Sequence, residues 1–294
     1  MTTSPPHAGT RGTPLGLGIG WRPELALAIH RRAAAGRLGF VEIIAEDVRP
    51  TAVPDAILEL RRLGVQVVPH GVSLSLGGVD PVDRDRVKRL ADLADRLGSP
   101  LVSEHMCFVR AGGVESGHLL PLPRTRVALD VLVENTLAAR ELLPVPLALE
   151  NIASLVEWPG AEMTEAAFVA AALERTGSRL LLDVANVWAN ARNGGTPAAD
   201  LLAGLPLDRL AYVHVAGGAD GPDDALYHDT HTRRTPPGVL TLLANLCRRA
   251  AIPGVMLERD GRFPVEAELF AELDDIAAAA GAGVPSSTTA SGTA

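Results

Sequence analysis

The chain is short of cysteine, of aromatic residues, of positive charge and of long apolar runs. Its two cysteines, Cys107 and Cys247, form no CxxC pair. Neither a disulfide framework nor a cysteine-type structural zinc site is therefore available, and a reducing cytoplasm is the expected location. Aromatic residues make up 3% of the chain, few for wedging between bases, and the net charge of −8 argues against a broad nucleic-acid footprint. A small site for an anion is still compatible with that balance. No apolar run reaches the roughly 18 residues of a membrane span, and "MTTSPPHAGTRGTP" lacks the apolar core of a signal peptide.

What is present is a globular composition, 47% hydrophobic and 21% charged over 294 residues, enough to bury a large core. Residues 1–14 and 281–294 are rich in Pro, Gly, Ser and Thr and are expected to be disordered tails. Between them, at 15–280, no linker-like break appears, so one domain is expected. Eight β-rich runs alternate with Ala/Leu/Arg-rich stretches of helical spacing: 15–19, 40–46, 65–71, 100–106, 146–151, 179–185, 210–217 and 253–260. Most are continuous apolar runs, the mark of parallel strands covered by helices. In "DPVDRDRVKRLADLADRLGS" Asp80 is read as an N-cap with Pro81 at the first helical position and a stop near Gly98. Thr164 is read as the cap of "TEAAFVAAALERTG". Eight such units predict an α/β fold, a (β/α)8 TIM barrel, with an open doubly wound sheet as the alternative. The glycines of "GLGIGW" hint at a dinucleotide loop. However, Trp21 stands where the last glycine of that motif belongs and no suitable helix opens there, so the run is read as the first barrel strand.

In such a barrel the chemistry lies at the C-terminal ends of the strands. Those ends carry His70, Glu104–His105, Glu150–Asn151, Asp183 with Asn186, His214 and Glu258, while Asp229 and His231 follow strand seven. Singly, each has a plain structural reading as a cap or a rim residue. Together, four carboxylates converging in a barrel mouth demand compensating cations, so the set predicts a metal site. Side chains alternate along a strand, which selects His105 over Glu104 and Glu150 over Asn151 as axis-facing donors and leaves Glu104 and Asn151 as supporting or substrate groups. In "YHDTHTRR" the same rule pairs Asp229 with His231 and turns His228 away. Nitrogen and oxygen donors suit Fe, Mn or Zn. So many donors exceed one ion, two or three ions are implied, and a carboxylate such as Glu150 could bridge two of them.

The runs "PHGVSLSLG", "SEHMCF", "LALENIAS", "LLLDVANVWANARNGG", "YVHVAGG", "HDTHTRR" and "VMLERDG" resemble, in order from about Leu15 to Ala280, the multinuclear non-heme iron-dependent oxidases. The resemblance implies a TIM barrel with two or three irons in mixed Fe(II)/Fe(III) states and O2 as co-substrate. One iron would sit on His70, His105 and Glu150. A second would sit on Glu150, Asp183, His214 and Glu258, and a third on Asn186, Asp229 and His231. Asn186 enters only through the resemblance, since its own spacing fits a helix cap equally well. Glu150, His70, His105 and Asp183 would form the catalytic core. The family oxidises ribosomally made precursor peptides, most often at cysteine, and many members work with a small partner protein that presents the peptide. Candidate peptide contacts are Trp21, Arg22, Glu46, Asn151 and Arg233, with the loops around "CFVRAGGVESGHLLPLPRT" and "NARNGGTP"; each has an equally good structural reading. Cys107 is read as a packed residue. The rival is an endonuclease IV-like phosphodiesterase, a TIM barrel with similar ligands, against which stand the acidic chain and Asn186. A sugar isomerase would need a lysine near the metals, and none stands at a strand end.

Overall fold

The computed structural model describes residues 14–222 and 226–281. The segments expected to be disordered, residues 1–13 and 282–294 of the two tails, lie outside the described residues. Twelve strands occur among the described residues, in chain order β1 (Gly16–Gly20), β2 (Phe40–Ile44), β3 (Gln66–His70), β4 (Val102–His105), β5 (Cys107–Ala111), β6 (Val114–Pro121), β7 (Leu147–Glu150), β8 (Arg179–Asp183), β9 (Leu210–Val215), β10 (Gly217–Asp220), β11 (Tyr227–Arg233) and β12 (Gly254–Leu257). Eight of them, β1, β2, β3, β4, β7, β8, β9 and β12, close in chain order into a parallel barrel, with β12 pairing back onto β1. These are the eight runs read from the sequence. The helices between them are α1 (Ala26–Ala34), α2 (Asp55–Arg62), α3 (Arg84–Leu97), α4 (Arg126–Arg140), α5 (Glu165–Thr176), α6 (Val184–Arg192), α7 (Ala198–Gly204), α8 (Pro237–Arg249) and α9 (Glu266–Ala280).

Alternation along each strand builds two cores. One set of side chains, such as Val41, Ile43, Val67 and Leu182, packs outward beneath the helices. The other set fills the barrel: Phe40, Val68, Leu101, Ala148, Leu181, Tyr212 and Met256 form a separate apolar cluster inside it. Two residues further along the same strands come Glu42, His70, Ser103, Glu150, Asp183, His214 and Glu258, all buried. A polar layer therefore rests directly on an apolar plug. Gly18 keeps that plug closed, because a Cβ there would overlap the Phe40 ring, which itself meets Tyr212 edge-on at 5.7 Å.

Local signals set the helix ends, with one correction. Asp80 does not cap α3. Asp83 does, accepting from the backbone N–H groups of Asp85 at 2.9 Å and Arg86 at 3.2 Å. Asp80 instead accepts from Gly112 N–H at 2.9 Å, outside the helix. A second acid, Asp83, stands three residues after Asp80, and only this later one meets free helical N–H groups. Thr164 caps α5 by accepting from Ala167 N–H at 3.2 Å, and Gly98 ends α3 in the left-handed region at φ 56°.

The sequence shows loops where the structure shows two antiparallel hairpins, β5–β6 and β10–β11. Both carry mixed polar and glycine-rich sequences with register shifts, which hides strand periodicity. They follow the C-terminal ends of β4 and β9.

Candidate metal centre

The axis-facing donors converge on Glu150. Its Oε2 lies 3.5 Å from His70 Nε2 and 3.3 Å from His105 Nε2, while Oε1 lies 3.3 Å from His214 Nδ1. Each oxygen thus serves a different set of neighbours, as a bridging carboxylate must. Glu258 repeats the pattern, with Oε2 3.1 Å from His214 Nδ1 and Oε1 3.5 Å from His231 Nδ1. Donors held about 2.0–2.2 Å from one metal stand roughly 3.0–3.5 Å apart, and these spacings fall in that range.

Three donor groups could each hold an ion: His70, His105 and Glu150; Glu150, Asp183 and His214; and Asp183, Asp229 and His231. Two more combine Glu42, His214 and Glu258, and His231, Glu258 and Asp260. Whether the residues fit a metal can be read from buried polar atoms. Glu150 Oε2, Asp183 Oδ2, Asn186 Oδ1, His214 Nδ1 and Asp229 Oδ1 have no hydrogen-bond partner among the described residues. Each such atom costs about 1–3 kcal/mol when left unpaired. Five converging on one cluster call for cations, so the donor set fits metals.

The electrostatics agree. Burial alone would lower the His105 imidazole, but Glu150 and Glu104 outweigh it and lift it to about 9. Burial likewise opposes charge on His214 and His231, yet Glu42, Glu150 and Glu258 raise the first well above its ordinary value, and Glu258 with Asp229 does the same for the second. Burial, with Asp229 and Glu150 beside it, pushes Asp183 well above the carboxylate range.

The remaining groups position these donors. Glu104, buried and turned from the axis, accepts from Leu74 N–H at 2.9 Å and lies 3.3 Å from His105 Nδ1. Asn151 is committed to structure: its amide donates to Asp183 O at 3.0 Å and accepts from Asp183 N–H at 2.9 Å. Asn186 is not itself a helix cap, because Asp183 caps α6. Its N–H is capped by Asp183 Oδ1 at 2.8 Å and its Nδ2 donates to Asn151 O at 3.0 Å, leaving Oδ1 free to face the cluster. Asp229 and His231, both within β11, meet at 2.5 Å, but not through extended backbone. His231 takes φ 51°, a left-handed conformation costing a non-glycine residue on the order of 1 kcal/mol. His228 rests against Gly221 and belongs to none of the donor groups.

Expected peptide contacts fare differently. Above the donors opens a cavity of about 620 Å³. Leu119, Leu120, Ile152, Leu155 and Val156 form an apolar wall, and Asp229, Thr230, His231 and Asp260 a polar one. None of Trp21, Arg22, Glu46, Asn151 and Arg233 lines it among the described residues. Glu46 is exposed and accepts from Val72 N–H at 3.1 Å beside a different hollow. Arg233 is exposed where β11 pairs with Gly217. Trp21 packs against the main core, and Arg22 Nε donates to Asp260 Oδ1 at 3.0 Å. Asp260, which the sequence reading missed, in turn holds His231 Nδ1 at 2.8 Å. The reading also missed Glu42, Ser103 and Tyr212, although stepping two residues from Phe40 would have flagged Glu42 as axis-facing.

Residues 16–281 match the family described as RiPP precursor modification enzyme MbnB/TglH/ChrH. A "UPF0276 protein" of Streptomyces avermitilis is 53% identical over 274 residues, covering 91% of this chain and 55% of that protein. The chain therefore spans about half the length of that relative. A "UPF0276 protein" of Caulobacter vibrioides is 37% identical, covering 88% of this chain and 92% of the relative. Among solved structures, endonuclease IV from Thermus thermophilus superposes with TM-score 0.58 at 20% identity, over 90% of this chain and 98% of that one. D-psicose 3-epimerase from Clostridium cellulolyticum superposes with TM-score 0.55 at 13% identity, over 90% of this chain and 96% of that one. Those two likenesses establish the barrel and nothing about the reaction. The chain belongs to the MbnB/TglH/ChrH family of enzymes that modify ribosomally made precursor peptides.

Proposed function

We propose that this protein is an iron- and O2-dependent oxidase that modifies a residue, cysteine foremost, of a ribosomally made precursor peptide presented with a small partner protein. One observation carries the reading: a carboxylate shared between two histidine-containing donor groups, Glu150, lies at the floor of a half-apolar cavity of about 620 Å³. His70, His105 and Glu150 would hold one iron, Glu150, Asp183, His214 and Glu258 a second, and Asn186, Asp229 and His231 a third. Iron at these positions would supply the redox chemistry that side chains lack.

The chain's own residues would do the rest. The wall from Leu119 to Val156 would desolvate one side of the peptide, while the β10–β11 hairpin would contact its polar backbone. The thiol to be oxidised belongs to the substrate. Cys107 is buried and burial holds its thiol well above the ordinary range, so it is packing and not a nucleophile. No helix among the described residues is long and apolar enough to cross a membrane; a cytoplasmic site of action accords with substrates made on ribosomes.

The test is anaerobic purification, iron loading and incubation with a Cys-containing precursor peptide plus O2. The expected result is O2 uptake with a mass change confined to the peptide. Zinc as the only active metal, cleavage of abasic DNA and no O2 uptake would move the protein to the phosphodiesterase reading.

A further inference from the structure

On the side of the donor cluster away from the cavity, a chain of hydrogen bonds crosses the barrel interior. His70 Nδ1 lies 2.8 Å from Ser103 Oγ, and Ser103 Oγ lies 2.7 Å from Tyr212 OH. Tyr212 donates to Glu42 Oε2, and His214 Nε2 lies 3.0 Å from that same oxygen. All five residues are buried. The chain joins β3 to β9, strands on opposite sides of the barrel. At both ends it engages the ring nitrogen that does not face Glu150: Nδ1 of His70, whose Nε2 faces it, and Nε2 of His214, whose Nδ1 faces it.

Counting protons leaves one consistent arrangement. A carboxylate only accepts, so Tyr212 O–H and His214 Nε2–H both donate to Glu42. Having spent its single hydrogen, Tyr212 accepts from Ser103. Ser103, having spent its own, accepts from Nδ1–H of His70. Every proton points toward Glu42. In their neutral forms the two imidazoles are thereby left with lone pairs at His70 Nε2 and His214 Nδ1, the nitrogens that face Glu150.

We propose that Glu42, directly on His214 and through Tyr212 and Ser103 on His70, is a positioning residue that fixes the ring tautomers of two ligands belonging to two different metal groups. One buried carboxylate thus orients donors on both sides of the Glu150 bridge. A partner behind a ligating histidine sets its tautomer and its orientation, and removing it typically lowers metal affinity about 10–100-fold. Tyr212→Phe and Ser103→Ala cut only the His70 arm. Glu42→Gln disturbs both arms.

This inference rests on the metal-centre reading, and zinc binding separates the two. Zn(II) is titrated into wild type, Y212F, S103A and E42Q against a chromophoric chelator, with thermal unfolding recorded alongside. The expected result is about 10–100-fold weaker binding at one site in Y212F and S103A and at two sites in E42Q. In the zinc-loaded wild type, nitrogen-15 correlation spectra should show ring N–H at Nδ1 of His70 and Nε2 of His214, a readout that needs no variant to fold. Wild type that takes up no zinc overturns the inference together with the metal centre. Wild type that binds zinc while all variants bind it equally, or a His70 ring carrying its proton on Nε2, overturns the tautomer device alone.

Discussion

Replacing Glu150 by glutamine keeps the side chain's size and removes its charge, and the structure makes the consequence unequal across the site. One carboxylate oxygen faces His70 and His105 at 3.5 and 3.3 Å, and the other faces His214 at 3.3 Å. Two metal groups therefore lose an anionic donor at once. Four-ligand sites bind with about 10–16 kcal/mol at neutral pH, so one donor is worth about 3 kcal/mol, or roughly 100-fold in affinity, in each group. As a ligand Asn186 would offer one neutral oxygen to one group, so Asn186→Ala should weaken only the Asp229–His231 position. The assay is anaerobic Fe(II) or Zn(II) loading, gel filtration and metal analysis of wild type, E150Q and N186A. The expected order is full occupancy, loss of the two Glu150-linked ions, and loss of one ion at most. E150Q retaining its metals, or N186A losing as many as E150Q, would refute the bridging role.

Four further outcomes are expected. His105 is raised to about 9 by Glu150 and Glu104 against the opposing effect of burial, so below that pH a metal must displace its proton. Zinc affinity should therefore climb with pH up to about 9, about tenfold per unit for one proton, and a flat profile from neutrality upward would contradict this. Asp260→Ala removes the partner of His231 Nδ1; metal should leave the Asp229–His231 position first, about 10–100-fold more readily, with the His70 group unchanged by the same metal analysis. Gly18→Ala drives a methyl into the Phe40 ring and should cost about 1–3 kcal/mol, visible as a lower midpoint in denaturant. Cys107→Ala should keep peptide turnover, and in native wild type the Cys107 thiol should resist iodoacetamide until the protein unfolds; fast labelling would show the burial to be wrong.

Periodicity carried much of the site in the sequence. Alternation along a strand is a local property, so it separated His105 from Glu104 and Glu150 from Asn151 without any knowledge of neighbours, and the structure has His105 and Glu150 within 3.3 Å. The same alternation failed in "HDTH" only in mechanism. Asp229 and His231 do meet, but through a left-handed residue that no strand rule anticipates. The helix cap moved from Asp80 to Asp83 because both acids precede the same amphipathic stretch, and only packing decides where the first turn begins.

The count and order of the barrel strands and the ring of His, Asp and Glu at their ends were legible in the chain, because both follow from spacing along it. Which side chains stand behind that ring depends on folding. Glu42 meets His214 across 172 positions and Arg22 meets Asp260 across 238. No pattern along the chain encodes such a meeting. It exists only once the barrel closes, when the inward face of every strand is brought to one axis and each buried polar group must find its partner there.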